Sequence, residues 1–501
     1  MSVDLSSKGR QLIPRWLPYD AAVMLGAVGG SGDSTRKLPP NFLDSVMRDW
    51  LRYESLACAI ELVAAASVSG VKGDSSVISA AEKIIKNRSE VSRISFDMAR
   101  TYLGEREKLN YSLNFLSEKD VLYAKISFLK SRLREFSANP IYWSDLSFYY
   151  GVIGEGEKAM SCARIAYQLG SRNPFIVRNA SRAFLHFGDE DKALLVLRKF
   201  EGIKRFPSVL AAEIALSNHL DRSSKNVSIA FKIAEDLSPL AIGANEVNAV
   251  LASVEANDGS KKKAKKFLIN SLAIPNENCL AQAAWIVANK GIEYDLNMDV
   301  PANYEALANK LQDEGQYELA LENCEKWRGF QPFSRHPAIT GSYIASVALC
   351  DYGRAESFGE YGYKISPEDP TVANNYVCAL ALNGKLGEAT AVLNSISLED
   401  LDKHHYATFA ATIGLVHFRR GECEEGRKWY QRAVNIHEKL GNSRAQAVAL
   451  SFWAEQEVEY ERQAASVLMD KAKRLAKKFD IKELGLRLGI PMEGSKKPLI
   501  L

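Results

Sequence analysis

PANYEALANKLQDEGQYELALENCEKWRGFQPFS, residues 301–334, carries two helical periods in succession. Tyr304, Leu307, Ala308 and Leu311 recur every three or four residues, which places them on one face of a helix. Gly315 ends that helix, and Ala320, Cys324 and Trp327 mark the inward face of a second. Pro332 closes the unit, because its ring removes an N–H and cannot continue a helix. The stretch therefore predicts two short antiparallel helices with small residues where they cross.

The same frame recurs on both sides. Pro140 opens a unit with Trp143, Leu146, Tyr150, Gly154, Ala159, Ala163 and Ala166; Pro174 opens the next, with Ala180, Phe184, Gly188, Ala193 and Leu197. Further units begin at Ser208 and Asn245, then at His336, Pro370 and Ala407, and a last one spans about 446–479. In Cys279–Lys290 one helix is legible, but GIEYDLNMDVP at 291–301 offers it no partner, so the array breaks there.

On these residues the chain resembles the tetratricopeptide repeat (TPR) family, whose unit is a helix pair of about 34 residues. The resemblance implies an all-α, right-handed α-solenoid of about nine TPR-like helix pairs. One helix pair cannot bury both of its apolar sides, so neighbours share a continuous core. Arginine at Ala320 or valine at Gly421 is expected to overpack a helix crossing, at a cost of roughly 1–3 kcal/mol.

The expected organisation is a flexible or docking arm at 1–40, an N-terminal helical cap at 41–104 and a first block at 105–275. A half repeat and loop follow at 276–300, then a second block with its C-terminal cap at 301–480 and a tail at 481–501. Asn41–Ser67 reads as one amphipathic helix, and a degenerate unit starts at Glu105 with Phe115, Ala124 and Phe128 in register.

Composition narrows the class further. Lys plus Arg number 64 against 61 Asp plus Glu, so no global field draws the chain to nucleic acid or anionic membrane. No run approaches the roughly 18 apolar residues of a membrane span. AAVMLGAVGG at 21–30, preceded by Lys8, Arg10 and Arg15, is too interrupted by Asp20 and Pro18 for a signal sequence. Seven cysteines lie scattered without a CxxC pair, which reads as reduced core thiols in a cytoplasmic protein.

GGSGDSTRK at 29–37 lacks the spacing of a phosphate loop, and no catalytic motif or zinc-ligand set appears. Adjacent His404 and His405 point about 100° apart on a helix and do not form a metal pair. The reading is a non-enzyme with no cofactor. KKKAKK at 261–266 and KAKRLAKK at 471–478 read as solvated faces, with a nucleic-acid or acidic-partner patch as the alternative.

In the TPR family the first helices line a concave groove that holds a partner. Carried over, that places Phe148, Phe175, Arg178, Arg182 and His186 in the first block's groove. Glu305, Asn309, Gln312, Asp313, Asn374, Phe418 and Arg419 take the same places in the second. Arg178 and Arg182 could begin the family's carboxylate clamp, but Glu213 and Glu246 stand where Asn and Lys would be needed. The exposed apolar groove calls for a cover, either a partner's helix or the N-terminal arm, unless a register error returns some of these side chains to the core. Two functions follow: a scaffold or adaptor for a protein or peptide partner, or a regulatory subunit autoinhibited by its arm. Self-association through the capping helices is a third.

Overall fold

The computed structural model describes residues 9–25, 42–69, 73–91, 93–103, 114–116, 119–239 and 243–490, and these contain helices but no strand. They form two compact units, one of residues 1–29 with 113–501 and one of residues 30–112.

The described residues of the smaller unit form four helices, Phe42–Tyr53, Leu56–Ser69, Ser75–Lys86 and Arg93–Tyr102. Val46, Trp50, Leu62, Val63 and Ile84 form its core. The single helix expected over 41–67 is two. Glu54 has a positive φ of 42°, and Ser55 accepts the Cys58 N–H at 3.1 Å, so a serine cap starts a new helix.

Among the described residues of the larger unit, Lys119–Glu135 is followed by nine helix pairs. The first members of four are Pro140–Val152, Pro174–His186, Pro207–His219 and Ala244–Asp258; Glu277–Lys290 then stands without a second helix. Five more pairs begin with Tyr304–Asp313, His336–Tyr343, Pro370–Leu382, Lys403–Arg419 and Ser443–Glu457. The degenerate unit expected from Glu105 is otherwise built: residues 104–113 lie outside the described residues, and Phe128 is exposed while Leu122, Ile126 and Leu129 face inward.

Local chemistry sets the starts. Asn139, Asn173 and Asp369 accept the N–H groups of Ile141, Phe175 and Val372, and a proline follows each cap at the first helical position, where no N–H is required. Gly421 is not at a crossing, contrary to the expectation. It holds φ +80° in the turn between two helices and a Cβ there would meet nothing within 4 Å. The crossing is made at Gly414, where a Cβ would lie 2.8 Å from Tyr430.

The array also turns back on itself. Beyond the helix Tyr317–Phe330, Phe333 packs edge-on to Phe148 at 5.2 Å, Arg182 donates to its carbonyl at 3.4 Å, and the Phe115 N–H reaches the Gly329 carbonyl at 2.8 Å. The second block thus returns to the first helices of the first block and encloses the groove between them.

The expected tail also differs. Leu484 and Leu488 are buried because residues 481–490 fold onto the second block, while 491–501 lie outside the described residues.

Candidate functional site

The inner groove of the first block is occupied by the chain's own residues 9–25. Gln11–Pro18 form neither helix nor strand, and a short helix Tyr19–Met24 follows. An extended segment leaves its peptide groups unpaired, so the groove must supply partners. Asn179 donates to the Leu17 carbonyl at 2.8 Å, Asn278 to Ile13 at 2.9 Å and Gln282 to Arg10 at 2.9 Å, while Asp145 accepts the Tyr19 N–H at 2.8 Å. The arm expected at 1–40 is in this part a packed element; residues 1–8 and 26–41 lie outside the described residues.

Its side chains are seated as specifically. Arg10 gives Nε to Glu305 at 2.6 Å, Nη1 to Gln282 at 2.7 Å and Nη2 to Asn278 at 2.7 Å. Arg15 reaches the other Glu305 oxygen at 2.7 Å and Glu277 at 3.5 Å. Burial works against the Glu305 charge, but the two guanidiniums outweigh it and hold the carboxyl well below the usual carboxylate range. Charge-assisted bonds of this kind are among the strongest a protein makes.

Trp16, only 5% exposed, stacks on Phe333 with ring centroids 4.3 Å apart and meets Phe148 edge-on at 5.8 Å. His186 and Phe187 close the cage at 6.0 and 6.1 Å. Leu12 is buried beside Leu210 and Val247, and Tyr19 lies edge-on to Phe175 at 5.4 Å. Gly9 sits at φ +72° with the Trp285 ring where a Cβ would be.

Of the residues placed in the groove from sequence, Phe148, Phe175, His186 and Glu305 meet the arm directly. Arg178 instead pairs with Glu246 at 2.8 Å, and Arg182 binds the Phe333 carbonyl. Burial, and then Arg15, pull Arg182 down to about 10. With Arg178 neutralised internally and Glu213 committed to Arg198 at 2.9 Å, the clamp positions serve the fold.

The second block is filled from the other end. Arg487 pairs with Glu455, donates to the Ser346 carbonyl at 2.7 Å where a π turn spans Ile344–Ala348, and lies 3.8 Å over the Phe452 ring. Glu483 accepts from Tyr343 at 2.9 Å and pairs with Arg444, and Lys482 reaches the Asp313 carbonyl at 3.5 Å. Helix Tyr304–Asp313 therefore meets the N-terminal segment at its first turn and the C-terminal one at its last.

Asn309 and Arg419 are exposed and Gln312 half-buried. Asn374 is buried and accepts from Thr412 at 2.8 Å. Phe418 lies inside its own helix pair, packed on Gly426 and 6.0 Å from Tyr430. The lysines of the two basic runs are exposed or half-buried on second helices. Among the described residues, no group of three or more His, Cys, Asp or Glu could hold a metal, and no helix is long and apolar enough to cross a membrane.

Sequence reading missed Arg10, Arg15, Trp16, Asn179, Glu277, Asn278 and Gln282. The signal for two of them was Asn278 and Gln282 spaced i, i+4, which puts amide groups on one helix face. The sequence frame starts this helix at Cys279, one residue too late to include Asn278, and leaves it an unpaired half repeat.

His186 gives the groove a pH dependence. Burial, and then the charge of Arg182, push its pKa down to about 3, whereas an unfolded histidine titrates near 6.5. As pH falls below about 6.5 the unfolded chain takes up a proton that the folded chain refuses, so this contribution is lost on acidification. Relative to His186→Gln, the wild type is expected to lose about 1 kcal/mol of stability per pH unit between pH 6 and 4. Urea titrations of both proteins across that range measure it, and parallel curves would refute the assignment.

No family model and no curated protein matches the chain. Among solved structures it is similar to the APC/C hetero-tetramer Cut9-Hcn1, at 11% identity over 94% of this chain and 95% of that one, with TM-score 0.37. A tetratricopeptide repeat protein from Parabacteroides merdae is 15% identical over 62% of this chain and 97% of its own, with TM-score 0.27. The human IFIT1 dimer with PPP-AAAA is 14% identical over 73% and 97%, with TM-score 0.33. The chain's own geometry, helix pairs repeating at about 34 residues, makes it a TPR-like helical-repeat protein.

Proposed function

We infer that this chain is a non-catalytic protein-interaction scaffold whose inner groove is kept closed by its own residues 9–25. The observation that carries this reading is the Glu305 carboxylate, buried and shared between Arg10 and Arg15 beside an aromatic cage filled by Trp16. A groove furnished with amides, carboxylates and aromatic walls suits an extended polypeptide, and here the occupant is intramolecular. A partner using this face must first displace the arm, which makes the scaffold a regulated one.

Arg10→Ala, Arg15→Ala and Trp16→Ala, combined in the full chain, remove the arm's anchors and leave the groove walls intact. Immobilised variant and wild type are compared by quantitative mass spectrometry of proteins recovered from the native source. Tethering raises the arm's effective concentration to the millimolar range, so its release is expected to raise partner recovery by roughly tenfold or more. Equal recovery would place the partner on another face.

A further inference from the structure

Residues 10–17 are held by two kinds of contact. The amides of Asn179, Asn278 and Gln282 take backbone carbonyls, which any extended chain could offer. Three acceptors around the Arg10 guanidinium, the second oxygen of Glu305 beside Arg15 and the ring cage around Trp16 read side chains instead. Asn278 and Gln282 each do both, taking a carbonyl with the amide nitrogen and a guanidinium N–H with the amide oxygen. Within Gln11–Pro18 the chain joins no helix or sheet, so its place is defined by side chains reaching into it, as a bound peptide's would be.

We propose that residues 10–16 stand in the site of a protein partner's extended segment, and that this segment carries the same chemistry: two arginines five residues apart, the second followed directly by a large aromatic. The proposal rests on the reading of the groove as an interaction surface. Arginine is required at the first place because its planar fork sends N–H groups to Glu305, Gln282 and Asn278 at once, which a lysine ammonium on a single stem does not match. The aromatic must be large and flat to lie against Phe333 with Phe148 at its edge. Arm and partner then exclude each other.

A tethered arm outcompetes a free peptide, so the test makes the contact bimolecular. A protease recognition sequence is inserted between Gly29 and Gly30 of the full chain, the chain is cut, and the 1–29 fragment is removed by native gel filtration. Fluorescein-labelled GRQLIPRWLPY, residues 9–19, is then titrated in and followed by anisotropy. The expected result is saturable binding, reversed by unlabelled peptide and weakened at least about tenfold by Arg10→Lys or Trp16→Ala in the peptide.

Three results would overturn the proposal: a fragment that stays on the cut chain without exchanging, a chain that loses its helical circular dichroism as the fragment leaves, or equal binding of all three peptides. If the labelled peptide fails to bind a cut chain that stays helical, the ligand chemistry is wrong. The scaffold reading then still stands or falls on partner recovery by the arm-released variant.

Discussion

Trp16→Ala is expected to release the N-terminal segment from the groove and to cost about 3–5 kcal/mol, the range for truncating a buried tryptophan. The estimate follows from area: a buried indole removes ~200 Å² from water, worth roughly 5 kcal/mol at ~25 cal/mol per Å². The site cannot readily collapse, because Phe148, Phe333 and the adjacent His186 and Phe187 are held on three separate elements. The loss has a ceiling. Once it exceeds what holds the arm, the segment detaches and further truncation costs nothing, so Trp16→Ala combined with Leu12→Ala should fall short of the sum of the single effects. Urea unfolding of the single and double variants measures this, and additive effects would mean that the arm does not move as a unit.

Glu305→Ala attacks the same segment through charge. It strips Arg10 and Arg15 of their shared carboxylate while both remain largely buried, and an uncompensated buried charge costs about 3–5 kcal/mol. Glu305→Gln keeps the shape and one acceptor oxygen but loses the charge and turns an NH2 donor toward a guanidinium, so its loss is expected to be smaller than that of Glu305→Ala but still measurable. In a double-mutant cycle, Glu305→Ala with Arg10→Ala should recover part of the deficit, with a coupling of about 1–3 kcal/mol, because the second change removes the orphaned guanidinium. Additive losses would show that the pair does not interact in solution.

The repeat frame was legible in the sequence because it is periodic. Gly315 and Ala320 in 301–334 recur in kind at Gly154 and Ala159 and at Gly188 and Ala193, and each recurrence reports the same turn and crossing. The family's groove positions led from that frame to Phe148, Phe175, His186 and Glu305, which the structure sets against the arm. The occupant was not legible. Arg10, Arg15 and Trp16 lie in a Gly- and Pro-rich segment without helical or strand period, and nothing in a local pattern tells a charge that will find a buried partner 290 residues away from one that stays in water. Phe418 shows the opposite failure. Its position in the frame is that of a groove residue, but the glycine at 426 opens a space within its own helix pair and the ring turns into it. Likewise Leu484, Arg487 and Leu488 follow the last repeat in a stretch without a repeat signal, and only the fold buries the two leucines and brings Arg487 to Glu455, Phe452 and Ser346.

Limited trypsin digestion of the native full chain reads directly whether the groove is occupied by the chain's own N-terminal segment, because trypsin cuts after arginine and Arg15–Trp16 lies at the middle of that segment with Trp16 buried. This bond is expected to survive in the wild type at protease levels that cut it in Trp16→Ala and Glu305→Ala. Cleavage at Arg15–Trp16 in the wild type as fast as in the free 9–19 peptide would contradict that occupancy.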